Sequence, residues 1–271
     1  MVKSKEKTIK ILFIADIVGK PGRKTVKQIL PELKKEKGID FVIANGENMT
    51  SGHGMTKGTM DELLEEGVDF FTTGNHIWKK PEFFTELSKK ETPVIRPANY
   101  PQDSPGDGYK IVKTKFGRLL IVNLLGREGI NSNVESPFKT IDEILKKTKG
   151  KYDLSLVDFH AEVTSEKVAL GLYLDGKVNI VIGTHTHVPT ADARILKKGA
   201  AYISDVGMTG PIESVLGVKT DIIIELFTTG IPQKFYNETQ GPCVFNSVLV
   251  EFEKNGKVVS IERLDKETSG K

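Results

Sequence analysis

Five short apolar runs in this chain each stop at a residue with chemistry to offer. Ile9–Ala15 leads into Asp16, and Phe41–Ala44 into Asn45-Gly46-Glu47-Asn48. Phe70–Thr73 leads into Gly74-Asn75-His76, Leu154–Phe159 into His160, and Val178–Ile182 into Gly183-Thr184-His185-Thr186-His187. Near-continuous apolar runs of this length are expected of strands buried on both faces. Helical stripes separate the early ones: Val26, Ile29, Leu30 and Leu33, then Met60, Leu63 and Leu64. Such alternation predicts an open α/β arrangement, in which sites form at the carboxyl ends of the strands. Imidazoles and carboxylates placed there can meet in space, and together they are the ligand mix of a transition-metal site.

Further elements follow from local signals. Asp16–Gly22 reads as a loop from its Gly and Pro content, and Pro31 is expected to kink or divide the helix after it. Thr56–Glu66 and Pro81–Lys89 read as helices, with Pro81 suited to a first turn. Tyr109–Thr114 and Arg118–Leu124 form a predicted hairpin. Pro137–Lys147, Ser165–Leu174 and Asp221–Phe227 are predicted helices. Ala193–Leu196 pairs with Ala200–Ser204 across Lys197-Lys198-Gly199. Val244–Glu253 and Lys257–Leu264 flank Asn255-Gly256, a two-residue hairpin signal. The picture is two packed sheets with helices outside. No repeat or linker divides residues 1–271, which are expected to form one domain, with frayed ends at 1–8 and 266–271.

Bulk properties exclude several classes. At 271 residues, 38% hydrophobic and 28% charged, the chain can bury a sizeable core. Its formal charge of +3 is small for a protein that coats nucleic acid, so there is no strong nucleic-acid signal. The one cysteine, Cys243, rules out an intrachain disulfide and fits a reducing compartment. The lysine-rich start is followed by an apolar run shorter than the ~7–15 residues of a signal sequence, and no segment approaches the ~20 residues of a membrane span. The expectation is a cytoplasmic protein with no membrane partner.

The candidate site residues each carry a competing structural reading. His185-x-His187 could be a ligand pair leaving a strand, or two turn residues. Asp16 could cap a helix, but the expected helix starts several residues later. Glu47 could be a solvated loop acid, although two asparagines flank it just after a buried strand. Asn75-His76 could be a left-handed Asn beside a surface histidine. His160 could be a strand-end histidine satisfied by Asp158 or Glu162. His53, in Ser51-Gly52-His53-Gly54, is either part of a lid or an exposed loop residue. Trp78 either stacks on a base or packs in the core, and Arg127 either touches phosphate or sits on the surface. Met208 and Cys243 read as packing residues.

Taken in order, Asp16, Glu47-Asn48, Gly74-Asn75-His76, His160 and Gly183-Thr184-His185-Thr186-His187 resemble the calcineurin-like metallophosphoesterases. There the motifs run Asp-x-His, Gly-Asp, Gly-Asn-His, His and Gly-His-x-His. Two departures stand out: Val18 where a histidine is usual, and Glu47 where an aspartate is usual. With Ala44-Asn45-Gly46-Glu47-Asn48, Arg96-Pro97-Ala98-Asn99, Asp158-Phe159-His160 and Asp205-Val206-Gly207-Met208-Thr209-Gly210-Pro211, these departures resemble one bacterial branch, the YmdB family of cyclic-nucleotide phosphodiesterases. The resemblance covers about residues 9–265.

That resemblance implies a four-layer α/β/β/α sandwich and two divalent transition-metal ions per chain, iron or manganese. One ion would take Asp16, Glu47, Asn48 and His187, and the other Glu47, Asn75, His160 and His185. Glu47 would bridge, Asn48 would stand in for the histidine absent at Val18, and His76 would face the substrate as the catalytic group. Two such ions ~3.5–4 Å apart activate a hydroxide and brace an in-line displacement. The implied reaction opens a 2′,3′-cyclic nucleotide to a 3′-nucleotide. Hydrolysis of 3′,5′-cyclic nucleotides or other phosphodiesters is the near alternative. A regulatory RNA- or partner-binding protein with incidental hydrolysis, and a dinuclear amidohydrolase, are the distant ones. The resemblance also suggests a homo-oligomer.

Overall fold

The structure, a computed structural model, describes residues 8–269. Its first sheet has the order β14-β13-β1-β3-β4, made of β1 (Ile9–Ile14), β3 (Phe41–Asn45), β4 (Phe70–Thr72), β13 (Ser247–Phe252) and β14 (Val258–Arg263). Its second has the order β5-β6-β7-β8-β10-β9, made of β5 (Tyr109–Thr114), β6 (Gly117–Leu125), β7 (Leu154–His160), β8 (Ile180–Thr184), β9 (Arg194–Ile195) and β10 (Ala201–Ile203). β1, β3 and β4 are parallel, as are β6, β7 and β8. Their carboxyl ends therefore share an edge within each sheet.

Side-chain alternation along the strands builds the layers. Ile11, Phe13, Phe41 and Ile43 face Leu119, Ile121, Leu154, Leu156, Ile180 and Ile182 of the other sheet. Their neighbours Leu12, Ile14, Val42 and Ala44 face outward onto α1 (Gly19–Lys37) and α2 (Lys57–Glu65), through Val26, Ile29, Leu30, Leu33, Met60 and Leu63. Leu120, Val122, Val157, Phe159 and Val181 pack likewise on α4 (Pro137–Thr148) and α5 (Thr164–Leu174). The result is the expected α/β/β/α sandwich. Phe13, fully buried between the sheets, would cost about 3–5 kcal/mol if cut to Ala.

A third, small sheet departs from the sequence reading. It has the order β15-β12-β11-β2, from β2 (Asp16–Ile17), β11 (Met208–Pro211), β12 (Cys243–Phe245) and β15 (Lys266–Thr268). β15 pairs with β12 from Cys243↔Thr268 to Phe245↔Lys266, so the end expected to fray over 266–271 is a paired strand at 266–268. Residues 1–7 and 270–271 lie outside the described residues. The single strand expected over Val244–Glu253 is split at Asn246 between two sheets.

The expected loop over Asp16–Gly22 is strand β2 followed, at Gly19, by helix α1. Gly22 is there for close approach: a Cβ on it would lie 2.3 Å from the Thr209 carbonyl oxygen. Pro21 falls in the first turn, where its missing N–H costs no hydrogen bond. Pro31 does not divide the helix, which runs on to Lys37. Pro81–Lys89 shrinks to a 3₁₀ turn at Pro81–Phe83 and a one-turn α3 at Phe84–Leu87. The β13–β14 connection is longer than the two-residue turn expected at Asn255-Gly256: it spans the five residues 253–257, closed by Glu253 N–H donating to Lys257 O, with Gly256 at φ 86°.

Candidate active site

The sheet edge draws together residues from five separate motifs. Asp16 opens β2 just past the end of β1, Glu47 lies two residues past the end of β3, and both are buried, 0% and 1% exposed. His160 ends β7, also at 0%. Its Nε2 lies 3.6 Å from Glu47 Oε1, and its Nδ1 3.8 Å from Asp16 Oδ1. His187 Nε2 lies 3.8 Å from the same Asp16 oxygen. His185 Nδ1 lies 3.1 Å from His160 Nε2, and its backbone N–H donates to Asp16 Oδ2. Asn75 follows Gly74, where a Cβ would fall 2.3 Å from the His160 ring; only glycine lets this loop pass so close. Asp16 does not cap α1, whose N-cap position is Val18.

Partners on the far side of the rings fix their tautomers. Thr184 Oγ1–H donates to Asp158 Oδ1 at 2.8 Å, so it accepts from His160 Nδ1–H at 2.9 Å. His187 Nδ1–H donates to the Leu216 carbonyl at 2.9 Å. Both rings therefore turn an unprotonated Nε2 toward the carboxylates, as metal-ligating histidines do. Asp158 is itself held by Thr72 Oγ1 and Asn45 Nδ2, and Asn45 Oδ1 accepts from Glu47 N–H at 2.9 Å. His185 and His187 have φ of 101° and 64°. Backbone strain of this kind, of order 1–3 kcal/mol per residue, collects at functional sites.

Four buried side-chain polar atoms have no hydrogen-bond partner among the described residues. Three of them are Asp16 Oδ1, Glu47 Oε2 and Asn75 Oδ1; the fourth is Thr209 Oγ1, on β11. Unpartnered buried oxygens are costly, so three in one cluster with two unprotonated imidazole nitrogens form a donor set suited to cations. No three His, Cys, Asp or Glu side chains among the described residues form a ready cage; the donors stand apart and would have to draw in on an ion.

The electrostatics agree with that donor set. Burial, with the nearby Asp205 charge, pushes Asp16 up to about 8. Burial lifts Glu47 well above its ordinary range and Asp158 to about 7. The same burial, reinforced by neighbouring histidines, lowers His160 well below its usual value and brings His76 and His185 to about 4. His187 is lowered too. Carboxylates that resist ionising and imidazoles that resist protonation are both relieved by positive charge placed among them.

His76 stands at the rim, half-buried. Its backbone N–H donates to Glu47 Oε1 at 2.6 Å and its Nδ1 lies 2.9 Å from Asn48 Oδ1. Asn48 spends its other end on His187 Nε2, at 3.1 Å. His53 joins this group, with its ring 4.8 Å from that of His76. Two expected substrate contacts do not join it. Trp78 packs edge-on against Phe84 and Tyr100, the core reading. Arg127 is exposed, and its backbone N–H bonds to Glu166. Met208 and Cys243 are buried packing residues.

A family model described as YmdB-like protein matches residues 12–264. The chain belongs to the YmdB-like family. A 2′,3′-cyclic-nucleotide 2′-phosphodiesterase of Bacillus subtilis strain 168 is 42% identical over 257 residues, covering 94% of this YmdB-like chain and 96% of that protein. A phosphatase structure from Mycoplasma pneumoniae has a TM-score of 0.91 at 38% identity, covering 97% of this chain and 95% of that one. A Staphylococcus aureus structure named as a 5′-nucleotidase is 18% identical with a TM-score of 0.63, over 95% of this chain and 54% of that one; it shares the fold alone.

Sequence reasoning missed part of the supporting shell. Lys167 and Asp205, each 1% exposed, form a buried ion pair. Asp205 Oδ2 also accepts from Thr186 N–H and Thr186 Oγ1–H, which clamps the residue between the two loop histidines. One signal existed: Lys167 falls in helical register with the buried Leu170, Gly171 and Leu174 of α5, where a lysine needs a partner. The Leu216 carbonyl that holds His187 had no sequence signal.

Proposed function

We propose that this YmdB-like chain is a metal-dependent phosphodiesterase that opens 2′,3′-cyclic nucleotides at the 2′ side, leaving a 3′-phosphate. The observation that carries the reading is the trio of unpartnered buried oxygens on Asp16, Glu47 and Asn75, set among histidines with Nε2 unprotonated. The kinship with the Bacillus subtilis enzyme supports the substrate class. Asp16, Glu47, Asn48 and His187 would hold one divalent ion, and Glu47, Asn75, His160 and His185 another, with iron and manganese suited to this N/O set. When bound, the pair supplies Lewis-acid charge to the phosphoryl group and lowers the pKa of water to near ~7.

The chain's own groups do the rest. Glu47 supplies charge between the two sets of donors. Asn48 Oδ1 now accepts from His76, so giving that oxygen to a cation means turning the amide over. Its NH₂ then donates to His76 Nδ1, and the ring carries its proton on Nε2. That nitrogen makes no hydrogen bond among the described residues, so it can donate to the leaving 2′-oxygen. A well-placed acid of this kind contributes ~10²–10⁴ in rate. The chain would work as one domain, cytoplasmic and assembled from several copies. Exposed Ile224, Phe227 and Ile231 supply apolar surface for assembly, and no helix among the described residues is long and apolar enough to cross a membrane.

The test is turnover by protein reconstituted with iron or manganese, first on bis-p-nitrophenyl phosphate and then on a panel of 2′,3′- and 3′,5′-cyclic nucleotides. The highest kcat/KM is expected on the 2′,3′ members. Metal-loaded protein that cleaves no phosphodiester would overturn the reading.

A further inference from the structure

A cavity of 860 Å³ opens beside the catalytic rim, and no group of the chemistry above uses it. Its wall on the site side is His53, whose ring packs on His76. The opposite wall comes from residues 234–239. The two walls are in direct contact, since Gly52 lies flush against the Asn237 side chain. A ligand in this cavity is therefore one ring away from His76.

The lining is aromatic and basic. Phe235 and Tyr236 are 48% and 53% exposed, so both offer ring surface on which a base can stack. Lys20, Lys219 and Lys234 also line the cavity and are exposed. None of the three has an acidic partner among the described residues; Lys234 Nζ instead lies 5.4 Å over the Tyr236 ring. Two acids share the lining. Glu238 accepts from Thr239 and Gln240 N–H, and the Lys219 charge also helps hold its carboxyl below the usual range; Asp221 sits in the first turn of α6 (Thr220–Thr229). Arg23 pairs with Glu62, and the three lysines outnumber the two carboxylates, so the lining keeps a positive balance.

Charge matching then discriminates between substrates. A nucleoside 2′,3′-cyclic phosphate carries one negative charge, and the proposed reaction puts it at His76. It offers the three lysines nothing. A nucleotide with a second phosphate, on its 5′ side, fits both features: base on the aromatic pair, 5′-phosphate among the lysines. We infer that this cavity is a subsite for a nucleotide bearing a 5′-phosphate in addition to its 2′,3′-cyclic phosphate. This rests on the phosphodiesterase reading above. The same chemistry occurs on a free 5′-phosphorylated nucleotide and at the 3′ end of an RNA strand.

The test begins with binding, which needs no turnover. Calorimetry on metal-loaded full-length protein should show adenosine 3′,5′-bisphosphate binding at least tenfold tighter than adenosine 3′-monophosphate. In a Lys219→Ala/Lys234→Ala variant the two should fall within about twofold, while Tyr236→Ala should weaken both. Equal affinities in the unaltered protein, or an unchanged ratio in the double variant, would overturn the subsite. The second arm is turnover of 5′-phosphoadenosine 2′,3′-cyclic phosphate and of a dinucleotide ending in a 2′,3′-cyclic phosphate. A gain over adenosine 2′,3′-cyclic phosphate with either one supports the subsite and names the source; no gain with either, where adenosine 2′,3′-cyclic phosphate is itself cleaved, counts against it. If no cyclic nucleotide is cleaved yet the binding ratio holds, the proposed activity falls and the subsite stands.

Discussion

Thr184→Val would remove one hydroxyl and keep the shape. In the native chain that oxygen accepts from His160 Nδ1–H at 2.9 Å and donates to Asp158 Oδ1 at 2.8 Å. All three residues are 0% exposed, so water cannot replace either bond. Leaving one buried group unsatisfied costs about 1–3 kcal/mol. Two are left here, and Asp158 retains Thr72 and Asn45, so we expect a loss of roughly 2–4 kcal/mol. His160 also loses the partner that fixes its tautomer, and removing such a partner typically weakens metal affinity 10–100-fold. Urea unfolding of chelator-treated protein measures the first effect, and calorimetric titration with manganese the second. Thr184→Ser should restore most of both. A stability loss below about 0.5 kcal/mol, the scatter expected of neutral surface changes, with unchanged metal affinity, would refute the Asp158–Thr184–His160 relay.

Glu47→Gln should stay folded but bind far less metal and lose most activity, because a neutral amide cannot supply charge to both sets of donors; elemental analysis showing about two ions per chain and near-normal turnover would reduce Glu47 to a loop acid. His76→Ala should keep its metal and lose roughly 10²–10⁴ in kcat on a poor alkoxide leaving group, and much less on a nitrophenyl ester; loss of metal would show that His76 is a ligand. Metal-free protein should lose stability as pH rises from about 7.5 to about 8.5. There the folded state still holds protons on Asp16, raised to about 8, and on Glu47, raised well above its ordinary range, that the unfolded state has released, while the site histidines, lowered in the folded state and near ~6.5 when unfolded, are largely neutral in both states. The slope should reach about 1.4 kcal/mol per pH unit for each retained proton, saturating manganese should abolish it, and a Tm that rises over this window would contradict the electrostatic picture.

The residues legible in the sequence were those announced by an apolar run ending in a polar group. Asp16, Glu47, Asn75, His160, His185 and His187 were all marked this way, and parallel strands carried them to one edge. Side-chain alternation on those strands also gave the layers. What stayed hidden depends on contacts between distant segments. Gly22 and Pro21 looked like loop residues because composition does not reveal that Thr209 presses on the helix start. Met208–Pro211 contains Gly and Pro, yet it pairs as a strand beside Asp16. Lys167 was visible as a lysine on an apolar stripe, but its partner lies 38 positions away. His187 depends on a backbone carbonyl, and any residue at Leu216 offers one.

The most direct measurement is the identity of the product. Metal-loaded protein incubated with adenosine 2′,3′-cyclic phosphate, with the products resolved by chromatography, should release 3′-AMP, because the proposed reaction has His76 protonate the 2′-oxygen as it leaves. Release of 2′-AMP, or intact substrate in the presence of bound metal, would contradict the proposed reaction.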